Sequence, residues 1–66
     1  MDIRGNDIKF RENWAQGTVA VIVGGVGQFA SVEYVTAAEW AKRKYDLTDA
    51  ELMRLYGDYK EDYDAD

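Results

Sequence analysis

The alternation of apolar and polar residues in the first half of the chain predicts a β-sheet. Residues 8–11 (IKFR) alternate apolar and basic side chains, the period of two expected for a strand with one solvent-facing side. Residues 18–23 (TVAVIV) are apolar on both faces and mostly β-branched, which is typical of a central strand. Connections of three or four residues can join only antiparallel neighbours. The pattern therefore predicts a three-stranded antiparallel sheet with strands near 8–14, 18–24 and 28–35.

Two capping boxes predict where helices begin in the second half. Residues 36–39 (TAAE) and 48–51 (TDAE) each place a Thr hydroxyl and a Glu carboxylate where both can bond to free backbone amides. We therefore predict helices from residue 37 to about residue 45, and from residue 49 onward. An apolar pair brackets each box as a hydrophobic staple: Val35 with Trp40, and Leu47 with Leu52.

The end of the second helix depends on Gly57. Glycine often ends a helix in the left-handed conformation, yet apolar residues recur at helical spacing on both sides of this one. We expect the helix to continue to about residue 63, at a cost of about 1 kcal/mol for the glycine. The predicted fold is α+β, a three-stranded antiparallel sheet followed by two helices (βββαα), in one domain spanning residues 1–66. Its predicted core comprises Val19, Val21, Val23, Val32, Trp40, Leu52 and Leu55.

Composition excludes several classes of chemistry. The 66 residues contain neither Cys nor His, so disulfides, thiolate catalysis and His- or Cys-based metal sites are excluded. Glu33 and Glu39 near Lys42 or Lys44 are better explained as solvated surface charge. Asp58 and Asp62 lack the spacing of a calcium-binding loop. We expect no enzymatic activity, no metal and no cofactor. Nothing resembles a signal peptide or a membrane span, so we expect a cytoplasmic protein.

A glycine motif resembles a dinucleotide-binding fingerprint. Residues 25–30 (GVGQFA) match G-x-G-x-x-A directly after an apolar strand. That motif needs a following helix and a returning parallel strand. Residues 31–35 (SVEYV) instead have the composition of a strand, so we predict a hairpin turn at the glycines.

The acidic residues are concentrated at one end. Residues 46–66 hold eight acids and two bases, whereas residues 1–45 hold five acids and six bases. A segregated distribution of charge indicates which partners a protein can bind rather than which fold it adopts. On a helical wheel Glu51, Asp58 and Asp62 fall within a sector of about 40°. If helical, residues 58–66 present one net negative charge per roughly 3.4 Å, the axial spacing of phosphates along one DNA strand. If the segment were extended, the distance between its net charges would be more than twice as long.

At the level of class, the chain resembles the small acidic proteins that phages encode against host defences, such as anti-CRISPR proteins and other DNA mimics. The resemblance is compositional and is carried by residues 56–66 (YGDYKEDYDAD) together with the small body that lacks cysteine. It implies a non-enzymatic inhibitor that blocks a basic nucleic-acid-binding groove, for example on a CRISPR surveillance complex or a restriction enzyme, in the host cytoplasm. We expect that the acids, with Asp49 extending them, supply charge and that the tyrosines supply planar contact area. The expected partner-binding residues are Glu51, Asp58, Tyr59, Glu61, Asp62, Tyr63 and Asp64.

Two other functions remain open. One is a small structural or adaptor module, acting as a monomer or as a homodimer through an exposed strand edge. The other is a nucleic-acid-binding domain that uses Lys9 and Arg11, beside Phe10 and Trp14. A nucleic-acid binder is usually net basic, whereas this chain has a net charge of −5, so we expect no direct contact with nucleic acid.

Overall fold

The computed structural model describes the backbone of residues 2–65 and the side chains of residues 2–60. Within these residues four strands are followed by two helices: β1 (Asp2–Ile3), β2 (Asn6–Asn13), β3 (Thr18–Val23), β4 (Val26–Ser31), α1 (Tyr34–Tyr45) and α2 (Asp49–Ala65). The strands form one antiparallel sheet in the order β1-β2-β3-β4. The α+β class and the antiparallel sheet are confirmed, and the predicted count of three strands omitted β1. The predicted third strand, 28–35, is wrong at its end, because β4 ends at Ser31 and residues 34–35 lie in α1.

The glycine motif forms a hairpin turn, as predicted. Gly24 and Gly25 connect β3 to β4 and have φ angles of 60° and 82°. Positive φ at both central residues is the geometry of the two-residue turn that matches the twist of antiparallel strands. Residues 28–31 then lie in β4 rather than in a helix, so the requirement of a dinucleotide fingerprint is not met.

The additional strand β1 results from a second turn of the same kind. Arg4 and Gly5 have φ angles of 49° and 85°, and they fold β1 back on β2 so that Ile3 lies opposite Asn6. The strand is only two residues long, too short for a period-two pattern to be visible in the sequence.

Both helices cover the same face of the sheet. Phe10 of β2 lies opposite Val21 of β3, and both side chains are buried beneath the helices. α2 packs on β2, whereas α1 packs on β3 and β4. The opposite face carries Lys9 and Arg11, which are exposed because no element covers them in residues 2–65.

The predicted core is partly confirmed. Val19, Val21 and Leu55 are buried, and Val23, Trp40 and Leu52 pack half-buried around them. The prediction for Val32 is wrong, since its side chain is 76% exposed just after β4 ends. The other buried residues, outside that predicted list, come from β1, β2, the two helices and the loop between them: Ile3, Ile8, Phe10, Ala37, Ala38, Ala41, Leu47 and Tyr59.

Of the two predicted helix starts, only the second is confirmed. At α2 the backbone amide of Thr48 donates to Oε1 of Glu51 at 2.8 Å, and the amide of Glu51 donates to Oγ1 of Thr48 at 3.1 Å, which confirms the second capping box. The first box is wrong, because α1 already begins at Tyr34 and the residue before it, Glu33, makes no side-chain cap. Its staple is also wrong, since Val35 is 60% exposed.

Tyr34 explains the early start of α1. Its ring meets that of Phe10 edge-on at 5.2 Å and stacks on that of Tyr59 at 5.2 Å. Such aromatic pairs stabilise beyond the area they bury, so tertiary packing overrides the local capping preference. At the other end of the chain α2 runs without interruption through Gly57, as predicted.

Candidate functional site

The two acids in the first turn of α2, Asp49 and Glu51, form ion pairs with other residues of the same chain. Asp49 Oδ1 accepts a bond from Nζ of Lys42 on α1 at 2.7 Å, and this contact holds the pKa of Asp49 below its usual value. The pKa of Glu51 is also lowered, first by the backbone amide of Thr48 and further by Arg4, whose Nη1 lies 3.2 Å from both carboxylate oxygens. Each of the two acids is therefore paired with a cation of the protein itself, and the side chain of Asp49 remains 86% exposed.

Arg4 joins three parts of the fold. Besides Glu51, its Nη2 donates to the backbone carbonyls of Tyr45 at 2.7 Å and Asp46 at 2.6 Å, where α1 ends. Carbonyls at a helix C-terminus lack partners within the helix, and a guanidinium satisfies them well. This role of Arg4 was not predicted from the sequence. The glycine that follows it was the available sign of a turn that would carry residue 4 back over the sheet.

Tyr59 lies in the core. Its side chain is 9% exposed, and its hydroxyl donates to Oε2 of Glu12 on β2 at 2.8 Å. The ring that was expected to contact a partner therefore packs against the protein's own sheet. The exposed aromatic ring nearby belongs to Tyr56, which is 45% exposed and meets Tyr34 edge-on at 5.0 Å.

Burial and a neighbouring tyrosine perturb Tyr34 itself. Desolvation of its phenol, with a smaller contribution from Tyr56, raises its pKa to about 12. The hydroxyl of Tyr34 therefore stays protonated well above neutral pH.

The remaining expected partner-binding residues lie in the C-terminal half of α2. Asp58 is exposed on the helix surface. Helical backbone continues through residues 61–64, whereas the side chains of these four lie outside the described residues: Glu61, Asp62, Tyr63 and Asp64. The structure thus separates the expected site into two balanced acids near the start of α2, a buried tyrosine, and an acidic end that begins at Asp58.

A second surface lies on the open face of the sheet. Arg11 and Trp14 line a groove of about 380 Å³ with apolar residues of β3, and Trp14 is 62% exposed. Lys9 lies on the same face, opposite Ile22 of β3. This surface combines the cations Lys9 and Arg11 with an aromatic ring, and Glu12 and Asn13 also line the groove.

In the part of the chain that the structure describes, no helix is both long and apolar enough to cross a membrane. Comparisons of the chain with protein-family models, curated proteins and solved structures gave no match.

Proposed function

We propose that the chain is a non-enzymatic protein inhibitor whose acidic helix occupies a basic nucleic-acid-binding groove on its target. The observation that carries this proposal is the unbroken course of α2 through Gly57 to Ala65. Phosphate-like spacing requires a helix in this segment, and an extended chain would not provide it. Residues 58–65 hold four acids and one Lys, which is about one net negative charge per 4 Å of helix at 1.5 Å per residue. One DNA strand presents about one charge per 3.4 Å.

The internal ion pairs define where the inhibitory surface begins. Arg4 balances Glu51, and Lys42 balances Asp49, so the surplus of negative charge starts at Asp58. Glu61, Asp62 and Asp64 continue it in the sequence, with Tyr63 among them. Tyr56, exposed one residue before Gly57, provides planar contact area at low entropic cost in place of the buried Tyr59.

The rest of the fold holds this surface in position. The capping box fixes the start of α2, Arg4 fixes it to the end of α1, and the hydrogen bond from Tyr59 to Glu12 fixes its middle to β2. Rigid presentation matters because ordering a mobile segment on binding lowers affinity. A charged helix anchored at two points therefore binds a basic groove better than a free acidic tail of equal charge would.

The test measures DNA cleavage by purified CRISPR surveillance complexes and restriction enzymes with the chain added at increasing molar ratio. We expect stoichiometric inhibition of the target that added duplex DNA relieves. Reversing Asp58 and Asp62 to Lys abolishes inhibition, whereas the matched reversal of Asp2 and Glu39, exposed acids elsewhere, retains it. Raising the salt concentration weakens inhibition, since the Debye length falls to about 8 Å at physiological ionic strength. Full inhibition by a chain truncated after Gly57 contradicts the proposal.

The open sheet face favours a second candidate, a binder of single-stranded nucleic acid. Lys9 and Arg11 are exposed there, and Trp14 offers a surface on which a base can stack. A gel shift with bare oligonucleotides separates the two functions. The inhibitor gives no shift, whereas the binder gives a shift that disappears in Arg11→Glu and persists in Asp58→Lys.

A further inference from the structure

The two edges of the sheet are protected very differently. β1 closes one edge with only two residues, and the charged Asp2 is one of them. β4 forms the other edge with the six residues Val26–Ser31, none of which is charged or proline. Natural sheets usually protect a free edge with short strands, charges, proline or β-bulges, because its unpaired amides and carbonyls can pair with another strand. Of these devices β4 has only a bulge, where a register shift leaves Gln28 opposite no residue of β3. Within residues 2–65, β4 pairs with β3 alone, so this edge is open.

Exposed apolar side chains lie at both ends of this edge. Val26 at the start of β4 is 59% exposed, and Val32 just after its end is 76% exposed. Val35, in the first turn of α1, is 60% exposed. Single exposed valines are ordinary on a protein surface. Val26 and Val32, at the two ends of this open strand, provide apolar area beside the backbone hydrogen bonds that a partner strand would form.

The charge distribution favours a second copy of the chain as this partner. Each copy has a net charge of −5, so most self-contacts are repulsive. β4 is uncharged, and α1 packs on one face of β3 and β4, whereas the acidic α2 packs on β2 at the other side of the sheet. Two copies that meet at β4 therefore keep their acidic helices apart. Antiparallel pairing of β4 with its own copy is self-complementary about a two-fold axis.

We propose that the protein forms a homodimer by antiparallel pairing of β4 with β4 of a second copy, which joins the two sheets into one of eight strands. The two-fold axis is perpendicular to the joined sheet, so the helices of both copies lie on one side, with the two α2 helices outermost. Six paired residues and a few valines form a small interface compared with the roughly 1,200–2,000 Å² of stable complexes. We therefore expect a dissociation constant in the micromolar range.

Sedimentation velocity with a matched pair of variants tests the dimer. Gln28 lies exposed in β4 and Gln16 lies exposed in the turn between β2 and β3, so Gln28→Lys and Gln16→Lys have identical composition and charge. We expect Gln28→Lys to weaken dimerisation at least tenfold, because two lysines then meet across the paired edges, and Gln16→Lys to leave it unchanged. A wild-type chain that stays monomeric up to about 500 µM overturns the proposal, as does equal dimerisation of both variants.

A spin label tests which edge is paired and stays informative if Gln28→Lys misfolds. The chain has no native cysteine, so Ala30→Cys on β4 and Ala15→Cys in the turn each give a single labelled site. Pairing at β4 predicts a distance between labels of about 20 Å or less for residue 30, since paired strands are about 4.8 Å apart, and a longer one for residue 15. The opposite order overturns the proposal. Added salt strengthens this dimer by screening two like-charged copies but weakens the proposed inhibition, so the failure of either proposal is distinguishable from failure of the other.

Discussion

Tyr59 donates a 2.8 Å hydrogen bond from its hydroxyl to Oε2 of Glu12, and this bond joins the middle of α2 to β2. Tyr59 also stacks on Tyr34 with their ring centroids 5.2 Å apart. A tyrosine within an acidic helix thus serves as an anchor, and the surface it could have offered to a partner is turned inward. Tyr56, three residues earlier in α2, is 45% exposed and therefore provides a control for substitutions of the buried Tyr59.

Replacing Tyr59 with Phe removes this bond and keeps the ring. A hydrogen bond to a charged acceptor contributes about 1.5–3 kcal/mol, and the partial exposure of Glu12 favours the lower end. We expect Tyr59→Phe to lower the free energy of unfolding by about 1.5 kcal/mol in urea denaturation. The control Tyr56→Phe should change it by less than about 0.5 kcal/mol. Equal effects of the two substitutions would show that the bond to Glu12 contributes no stability.

Arg4→Lys tests the connection between β1 and the helices. Lysine keeps the positive charge, but it lacks the fork that reaches the carbonyls of Tyr45 and Asp46 together with Glu51. We expect a loss of about 1–2 kcal/mol from the two carbonyl bonds, measured by thermal unfolding. Arg43→Lys, at an exposed position in the last turn of α1, is the control and should be neutral. If Arg4→Lys leaves the thermal stability unchanged, water replaces the guanidinium at these carbonyls without loss of stability.

The alkaline limit of stability depends on Tyr34. Its pKa is raised from 10.0 to about 12 in the folded protein, so the unfolded state loses this proton first as the pH rises. The stability that this shift contributes is fully present below pH 10 and is lost between pH 10 and pH 12. We expect Tyr34→Phe to remove this part of the pH dependence, and Tyr45→Phe, at the far end of α1, to retain it. Urea denaturation between pH 8 and pH 12 measures the slope, and carbon-13 shifts of labelled tyrosine rings identify the residue.

Leu55 and Val32 show the difference between a predicted and an observed core position. Both were expected in the core, but Leu55 is 1% exposed and Val32 is 76% exposed. We expect Leu55→Ala to cost about 2–5 kcal/mol, which would unfold much of so small a domain. Val32→Ala should cost less than about 0.5 kcal/mol in the same denaturation assay. A large cost for Val32→Ala would place its side chain in a contact, for which the β4 dimer is the candidate.

Local patterns predicted those parts of the fold that depend on local interactions. The capping box of α2 was found because Thr48 and Glu51 satisfy each other three residues apart, and the glycine hairpin was found because Gly24 and Gly25 tolerate positive φ. The start of α1 was missed because the packing of Tyr34 on Phe10 and Tyr59, residues distant in the sequence, decides it.

The candidate site was predictable in charge but not in geometry. The excess of acids after residue 46 is visible in the sequence, whereas the pairing of Glu51 with Arg4 spans 47 residues and depends on an unpredicted hairpin. The burial of Tyr59 likewise depends on a residue distant in the sequence, because its hydroxyl bonds to Glu12, 47 positions away. A helical wheel places Tyr59 among the apolar residues along one side of α2. Its ring is buried because β2 packs against that side of the helix.

Gly57 offers the sharpest test of the acidic helix. It lies inside α2, and a Cβ added there meets no atom within 4 Å. Alanine is favoured over glycine by about 0.8–1.0 kcal/mol in a helix interior. We therefore expect Gly57→Ala to raise the free energy of unfolding by roughly that amount and to increase helical circular dichroism.

The control Gly25→Ala should have the opposite sign. Gly25 has a φ of 82° in the hairpin between β3 and β4, a conformation that strains alanine by about 1–2 kcal/mol. If Gly57→Ala were also destabilising, Gly57 would be a left-handed cap that ends α2, and residues 58–65 would not continue the helix. Their charges would then be spaced more widely than phosphates, and the proposed inhibitor would lose its physical basis. A stabilised Gly57→Ala variant that inhibits at least as well as the wild type supports the rigid acidic helix as the inhibitory surface.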